Sequence, residues 1–201
     1  MAWDDRLWEA TCPPTRTSRR SDPEDSVRFT ITDELPHPLD LVFETHRDKL
    51  EELVDYLPNI QSVETRSRVE EGSVVKLENL WTAAESDVPA VIRPLIKSEY
   101  LTWIDRAEWD EENRRCKWSI ELTVLPDAIT ARGENSFREE DGETIIDMTG
   151  EFVVHPERIP GVPAFVAKRA APALEKFIVG LVQPNLRKSN AAVVEYIEDN
   201  Y

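Results

Sequence analysis

Residues 162–183 constrain the fold most, because their apolar side chains recur at helical spacing. Charged and polar residues such as Lys168, Glu175 and Gln183 occupy the other positions, which predicts an amphipathic helix. About 19 residues at about 1.5 Å per residue span about 28 Å, enough to cross a small domain. So long an apolar stripe needs a long concave partner. Its apolar positions are Phe165, Val166, Ala170, Ala173, Leu174, Phe177, Ile178 and Leu181.

Two prolines lie inside this helical pattern, Pro172 and Pro184. Each removes a backbone donor and crowds the carbonyl four residues earlier, so the helix is predicted to be bent or segmented. The segment after Pro184 can then be a separate element. We treat the tail, residues 186–201, as a helical extension of the same domain.

Most of the remaining chain alternates apolar and polar residues, which predicts strands. The first strand covers residues 27–31, and tight turns join most of the others, so sequential strands should pair antiparallel. Asp141-Gly142 is the signature of a hairpin turn. The six later strands are predicted at 63–70, 74–81, 100–109, 116–122, 129–137 and 146–154.

A helical pattern follows the first strand, from Leu39 to Leu57. Pro38 suits the first turn of a helix, and Pro58-Asn59 ends it. The pair Arg47-Asp48 can divide the pattern into two short helices. The predicted order is therefore strand, two helices, six strands and a long helix.

This order, with the transition LPNIQSVE at residues 57–64, resembles the START-like (SRPBCC) superfamily. That superfamily includes Bet v 1-like proteins, coenzyme Q-binding START proteins, lipid-transfer proteins and the polyketide cyclase/dehydrase group. The resemblance covers residues 25–183 approximately. It implies an α+β helix-grip fold, in which a curved antiparallel sheet of about seven strands wraps a C-terminal helix and encloses an apolar cavity.

The charge of the chain limits its partners. The net charge is −16, from 40 acidic and 24 basic residues. Nucleic-acid binding needs a basic footprint, and docking on anionic lipid needs a basic patch, so neither is expected. The basic residues divide into 17 Arg and 7 Lys, which together make the 24. This bias fits either a salt-adapted organism or a high-GC genome with an acidic, soluble surface.

Cysteine usage and hydropathy indicate a cytoplasmic protein without a membrane span. Cys12 and Cys116 are too few and too far apart for a disulfide framework or a metal site. We expect neither a metal nor a cofactor. Residues 1–24, rich in proline and polar side chains, are predicted to be a flexible arm, and residues 25–201 a single domain. The sequence does not determine the oligomeric state.

The predicted strand phases assign a set of side chains to the inner face of the sheet, where a ligand cavity needs apolar walls and a few polar groups. For most members, simple core packing is the expected role. Trp81, Trp103, Trp118 and Phe137, with Phe177 and Leu181 on the helix, are the apolar ligand-binding candidates. The other predicted inward residues are Val75, Leu77, Leu101, Ile120, Met148, Phe152, Phe165, Leu174 and Ile178.

Three polar residues interrupt the inner face: Asn79, Asn135 and Asp105. A buried polar group must find a partner, so each can bind a ligand, although bonding to protein backbone or exposure at a bulge is favoured. We include Asn79 and Asn135 among the ligand-binding candidates. His46 falls near the apolar face of the first helix and is interpreted as a satisfied core residue.

The favoured function is binding, and possible transport, of a hydrophobic small molecule such as a lipid, quinone or polyketide-like compound. No nucleophile elbow, phosphate loop or metal-ligand cluster supports catalysis. A cyclase or aromatase working with scattered polar groups is the alternative, as is protein interaction through residues 1–24 or 186–201.

Overall fold

The computed structural model describes residues 26–84, 101–126, 129–155, 158 and 184–201. The predicted helical stripe at 162–183 and the arm at 1–24 lie outside the described residues. The helical elements are α1 (Leu39–Asp48), a 3-10 helix (Glu52–Tyr56) and α2, residues 184–200. The strands are β1 (Ser26–Leu35), β2 (Ile60–Glu71), β3 (Val74–Ala83), β4 (Thr102–Asp110), β5 (Arg115–Leu122), β6 (Ile129–Glu140) and β7 (Glu143–Val154).

The seven strands form one sheet with the order β1-β7-β6-β5-β4-β3-β2, and every neighbouring pair is antiparallel. The first and last strands of the chain therefore pair with each other, while the intervening strands form a meander. The prediction of about seven antiparallel strands is confirmed. Because strands alternate their faces, one side of the sheet carries the core and the other meets water.

The hairpin predicted at Asp141-Gly142 joins β6 to β7. Asp141 has φ 53° and Gly142 has φ 88°. Positive φ at both central residues is the requirement of a type I′ turn, which matches the twist of the flanking strands. This turn fixes the register of β6 against β7, with Phe137 opposite Ile146.

The inner face of β2 differs from its predicted alternation. A register irregularity between Thr65 and Ser67 inserts one residue, so that Arg68 rather than Ser67 or Val69 shares a face with Leu77. Arg68 then reaches Asp48 at the end of α1, 2.7 Å away. A bulge of this kind reverses the faces of all later residues in the strand.

The helical region after β1 is divided as predicted, since α1 ends at Asp48 and the 3-10 helix begins at Glu52. Phe43 of α1 is fully buried and makes edge-to-face contacts with Trp109 and Phe137. These rings join α1 to the inner face of the sheet. Edge-to-face pairs add about 0.5–1.5 kcal/mol to the burial of their area.

The chain after Pro184 belongs to the core. In α2, Val193 is completely buried and Ile197 is 3% exposed. The buried Asn190 donates to Asp33 of β1 over 3.0 Å, and the Tyr196 hydroxyl bonds Glu52 of the 3-10 helix. Helix α2 thus packs on both the sheet and the first helical region, as the C-terminal helix of a helix-grip fold does.

Candidate functional site

The concave face divides into two regions. Under α1 and α2 the side chains are tightly enclosed, with Leu77 2% and Ile146 0% exposed. Farther along the strands, Trp81, Trp103 and Trp118 stay partly accessible. Trp81 and Trp118 also pack against the core. An accessible aromatic region beside a closed core is where a ligand surface is expected.

A polar row crosses this aromatic region. Thr65, Asn79 and Asp105 lie directly opposite one another on β2, β3 and β4. The Thr65 hydroxyl donates to Asn79 Oδ1 over 3.0 Å, and Asn79 Nδ2 donates to Asp105 Oδ2 over 3.2 Å. Asn79 is completely buried, so its amide orients the carboxylate of Asp105 from a fixed position.

The carboxylate of Asp105 is electrostatically unusual. Burial raises its pKa to about 6, and hydrogen bonding from Asn79, the Trp81 indole and the charge of Arg106 lower the pKa in part. The indole Nε1 of Trp81 is itself buried without a partner of good hydrogen-bond geometry. The Trp81 indole therefore lies close enough to the Asp105 carboxylate to favour its charged form, although the contact does not have the geometry of an ordinary hydrogen bond.

Trp81 and Trp103 form an aromatic wall next to the polar row. They are directly paired across β3 and β4, with ring centroids 5.8 Å apart and planes inclined by 13°. The two rings stack on each other, and both stay partly accessible.

The second aromatic group surrounds Trp118. Its indole Nε1 donates to Asn135 Oδ1 over 3.0 Å, and its ring covers Gly133, where a Cβ would come within 2.3 Å of it. On the other side, Phe29 covers Gly150 in the same manner and stacks near Trp118 at 6.3 Å. The two glycines face each other on β6 and β7, so their missing side chains make room for both rings.

The ligand-binding candidates predicted from sequence therefore fall into separate groups in the structure. Asn79, Trp81 and Trp103 meet in one group, and Trp118 and Asn135 form a second. Phe137 is 5% exposed and packs against Phe43 in the closed core. Phe177 and Leu181 lie outside the described residues. Asn79 and Asn135 form hydrogen bonds within the protein, as the favoured prediction held. Their partners are side chains rather than the backbone.

Asp105 is a polar interruption of the inner face that the predicted ligand-binding set does not include. Knowledge that Asn79 lies opposite Asp105 across β3 and β4 would have placed Asp105 in this set. The connection at 84–101 is too long for the register to be derived from a turn.

Another buried polar group, His46, lies on the buried face of α1. Burial lowers the pKa of His46 to about 4, and its Nε2 has no partner in the described structure, like the Nε1 of the neighbouring Trp109. The core position of His46 was predicted correctly, and only its Nε2 lacks the partner expected of a satisfied core residue. Since it is packed between Trp109 and Phe137, its ring serves as part of the core.

Two surface cavities accompany these groups. One cavity, of about 260 Å³, lies near the C-terminal end of α1. Its lining includes Arg47 of α1 and Thr65 and Arg68 of β2. The other, of about 600 Å³, is lined mainly by the outer face of the sheet. Ion pairs of Glu151 with Arg132 and Arg28 lie on its wall, beside the rings of Phe29 and Trp118.

Structural comparison identifies the architecture. An aromatase/cyclase, Zhui from Streptomyces sp. R1128, superimposes with a TM-score of 0.62 at 18% identity, covering 86% of this chain and 94% of its own. TTHA0849 from Thermus thermophilus gives a TM-score of 0.59 at 20% identity, with 85% and 99% covered. The fold is START-like. Norcoclaurine synthase from Thalictrum flavum shares it, with a TM-score of 0.54 at 15% identity and coverage of 93% and 96%.

These likenesses confirm the helix-grip fold that the element order suggested. No protein-family model matches the sequence, and no curated protein matches it either. Within the described ranges, no helix is long and apolar enough to cross a membrane. The same residues contain no cluster of three or more His, Cys, Asp or Glu placed to hold a metal ion.

Proposed function

We propose that this protein binds a hydrophobic small molecule, such as a lipid, quinone or polyketide-like compound, against the aromatic region of its concave face. The observation that carries the proposal is the partly accessible pair Trp81 and Trp103 beside the polar row of Asn79 and Asp105. An apolar wall with a few fixed polar groups is the usual composition of a ligand site.

The START-like fold supports this proposal but does not name the ligand. Two structures with the same fold are described as an aromatase/cyclase and as norcoclaurine synthase. Fold alone does not give function, so the assignment rests on the side chains. Trp118 and Asn135 are proposed as a second wall of the same site, and Phe177 and Leu181 remain predicted members.

Native mass spectrometry of the purified protein, followed by solvent extraction, tests the proposal. We expect an apolar compound to copurify, or a hydrophobic probe to bind with one-to-one stoichiometry. A site filled entirely by protein side chains, with no copurified compound and no probe binding, would contradict it.

A pair of variants assigns any binding to the proposed face. Trp103→Ala should weaken binding at least about tenfold, because it removes one ring of the wall. Ile104→Ala changes the next residue of β4, which points to the opposite face, and should leave affinity within about twofold. Equal losses in both variants would place the ligand elsewhere.

An enzyme of the cyclase or aromatase type is the second candidate, and the environment of Asp105 favours it. A carboxyl group with a pKa of about 6 can exchange a proton near neutral pH. If turnover of a polyketide-like substrate is detected, Asp105→Asn should reduce kcat strongly. Retention of full turnover when Asn79, Asn135 and Asp105 are each changed to Ala would exclude this candidate.

A further inference from the structure

The cavity of about 600 Å³ is a groove that crosses four neighbouring strands, β1, β7, β6 and β5. Two cross-strand rows of outward side chains form its walls, one beginning at Arg28 and the other at Thr30. The row between them points inward and contains the directly paired Gly133 and Gly150, so backbone forms the floor. Three strand spacings make the groove about 14 Å long, which is the size of a small organic molecule.

The first wall holds two guanidinium groups around one carboxylate. Arg132 donates from Nε to Glu151 over 2.6 Å and pairs with it through Nη2, which leaves Nη1 without a protein partner. Arg28 approaches the same carboxylate only through Nε, at 3.6 Å, and its side chain is 77% exposed. Glu151 therefore keeps both guanidinium groups beside the groove while leaving several of their N–H donors unused.

The opposite wall supplies a third cation. Lys117 has Glu108 directly opposite it on β4, yet among the described residues its amino group forms no hydrogen bond and no ion pair. The carboxylate on this wall, Glu134, is paired over 3.3 Å with Arg115, which lies outside the groove. Lys117 therefore keeps its full charge for a bound group.

The groove is thus locally basic on an acidic protein. Its walls carry three cations, and Glu151 is their one carboxylate without a partner outside the groove. The whole chain has a net charge of −16, so this excess of positive charge does not follow from the composition. Two walls that both present cations favour an anion with several oxygens and more than one charge.

We propose that this groove binds the phosphate group of a small organic phosphate. Arg28 and Arg132 donate to its oxygens from one wall, and Lys117 donates from the other. Phosphate provides three acceptor oxygens and up to two charges, whereas a carboxylate provides two oxygens and one charge. The groove lies on the opposite face of the sheet from the aromatic region, so this proposal does not depend on the proposed function.

An NMR titration of the full chain with glycerol 3-phosphate, glycerate and glycerol tests the inference at constant ionic strength. The three probes share a short carbon skeleton and carry a phosphate, a carboxylate or no charge. We expect glycerol 3-phosphate to bind at least about fivefold more tightly than glycerate, because only phosphate reaches cations on both walls. The amide signals of Gly133 and Gly150 should shift, while those of Gly72 and Gly142 in the hairpin turns stay in place.

Charge-matched variants assign the binding to the groove. Arg132→Gln and Lys117→Gln should each raise the Kd for glycerol 3-phosphate at least about fivefold, since each removes a charge-assisted donor. Arg66→Gln removes the same charge from β2, outside the groove, and should change the Kd by less than about twofold.

Three results would overturn the proposal: equal affinity for glycerol 3-phosphate and glycerate, unmoved Gly133 and Gly150 signals, or equal weakening by Arg66→Gln and Arg132→Gln. The last of these would show a general effect of net charge rather than a site. All three probes are polar, so their failure to bind leaves the copurification experiment, and the function it tests, unaffected.

Discussion

At the scale of single residues, Asp105 shows how a candidate site can reduce stability. Its pKa is about 6 in the folded protein, against 3.8 for the ordinary side chain, because burial disfavours the charged form. The folded state therefore holds its proton more tightly than the unfolded state does. Stability associated with this group is present below pH 3.8 and is lost as pH rises through 6.

Replacing this carboxyl should stabilise the protein at high pH. Asp105→Asn is expected to raise the free energy of unfolding by up to about 3 kcal/mol at pH 8 and by about half as much at pH 5, from about 1.4 kcal/mol per pKa unit. Urea unfolding at both pH values measures the difference. Glu112→Gln, an exposed change in the β4–β5 turn, is the charge-matched control, and a destabilised Asp105→Asn protein at pH 8 would refute the expectation.

His46 has the opposite effect on acid stability. Burial lowers its pKa from 6.5 to about 4. Between these two pH values, His46 is therefore protonated in the unfolded chain but neutral in the folded protein. The resulting loss reaches about 2 kcal/mol at pH 5 and levels off below pH 4. His46→Leu should remove this part of the pH dependence between pH 7 and 5 in urea unfolding. A slope equal to that of the parent protein would show that His46 is not the group responsible.

At the scale of elements, α2 is part of the folded domain rather than a detachable tail. Its Ala192, Val193, Tyr196 and Ile197 are buried among residues of the sheet and the first helices. The hypothesis of a partner-binding tail at 186–201 required a domain that stays folded without it. The burial of these side chains makes loss of the segment costly, since their apolar area would be exposed to water.

A pair of neighbouring substitutions tests this role of α2. Ile197→Ala should lower the free energy of unfolding by about 2–5 kcal/mol, because it removes buried methyl groups and leaves a cavity. Glu198→Ala, at the next and exposed position, should change it by less than about 0.5 kcal/mol. Chemical denaturation measures both. Similar small effects would mean that α2 contributes little to the core.

At the scale of the whole molecule, the acidic surface carries many exposed ion pairs, including Arg138 with Asp147 and Arg114 with Asp40. Individual exposed pairs contribute little, with a median of about 0–1 kcal/mol. The excess of 16 negative charges acts on the entire compact state through mutual repulsion. Screening of that repulsion should therefore outweigh the weakening of the pairs.

Salt is accordingly expected to stabilise the protein. Raising NaCl from about 0.02 to about 0.5 M shortens the Debye length several-fold and should raise Tm by several degrees. Calorimetry measures Tm, and an equal ionic strength of KCl controls for ion identity. A further gain at molar salt would favour the salt-adapted interpretation of the composition, whereas a plateau would favour the high-GC one. A falling Tm would show that the ion pairs dominate instead.

The sequence by itself determined the strands, the first helical region and most of the strand faces. Alternation at Val75, Leu77 and Phe137 predicted side chains that the structure buries, because a strand's period of two is a local property of the backbone. The helix division near Asp48 was equally local. Only the tertiary structure decided that a bulge places Arg68 on the same face as Leu77, and that Asn79 lies opposite Asp105. Strand register across a long connection and the desolvation of a carboxylate depend on packing from distant segments, which no local pattern records.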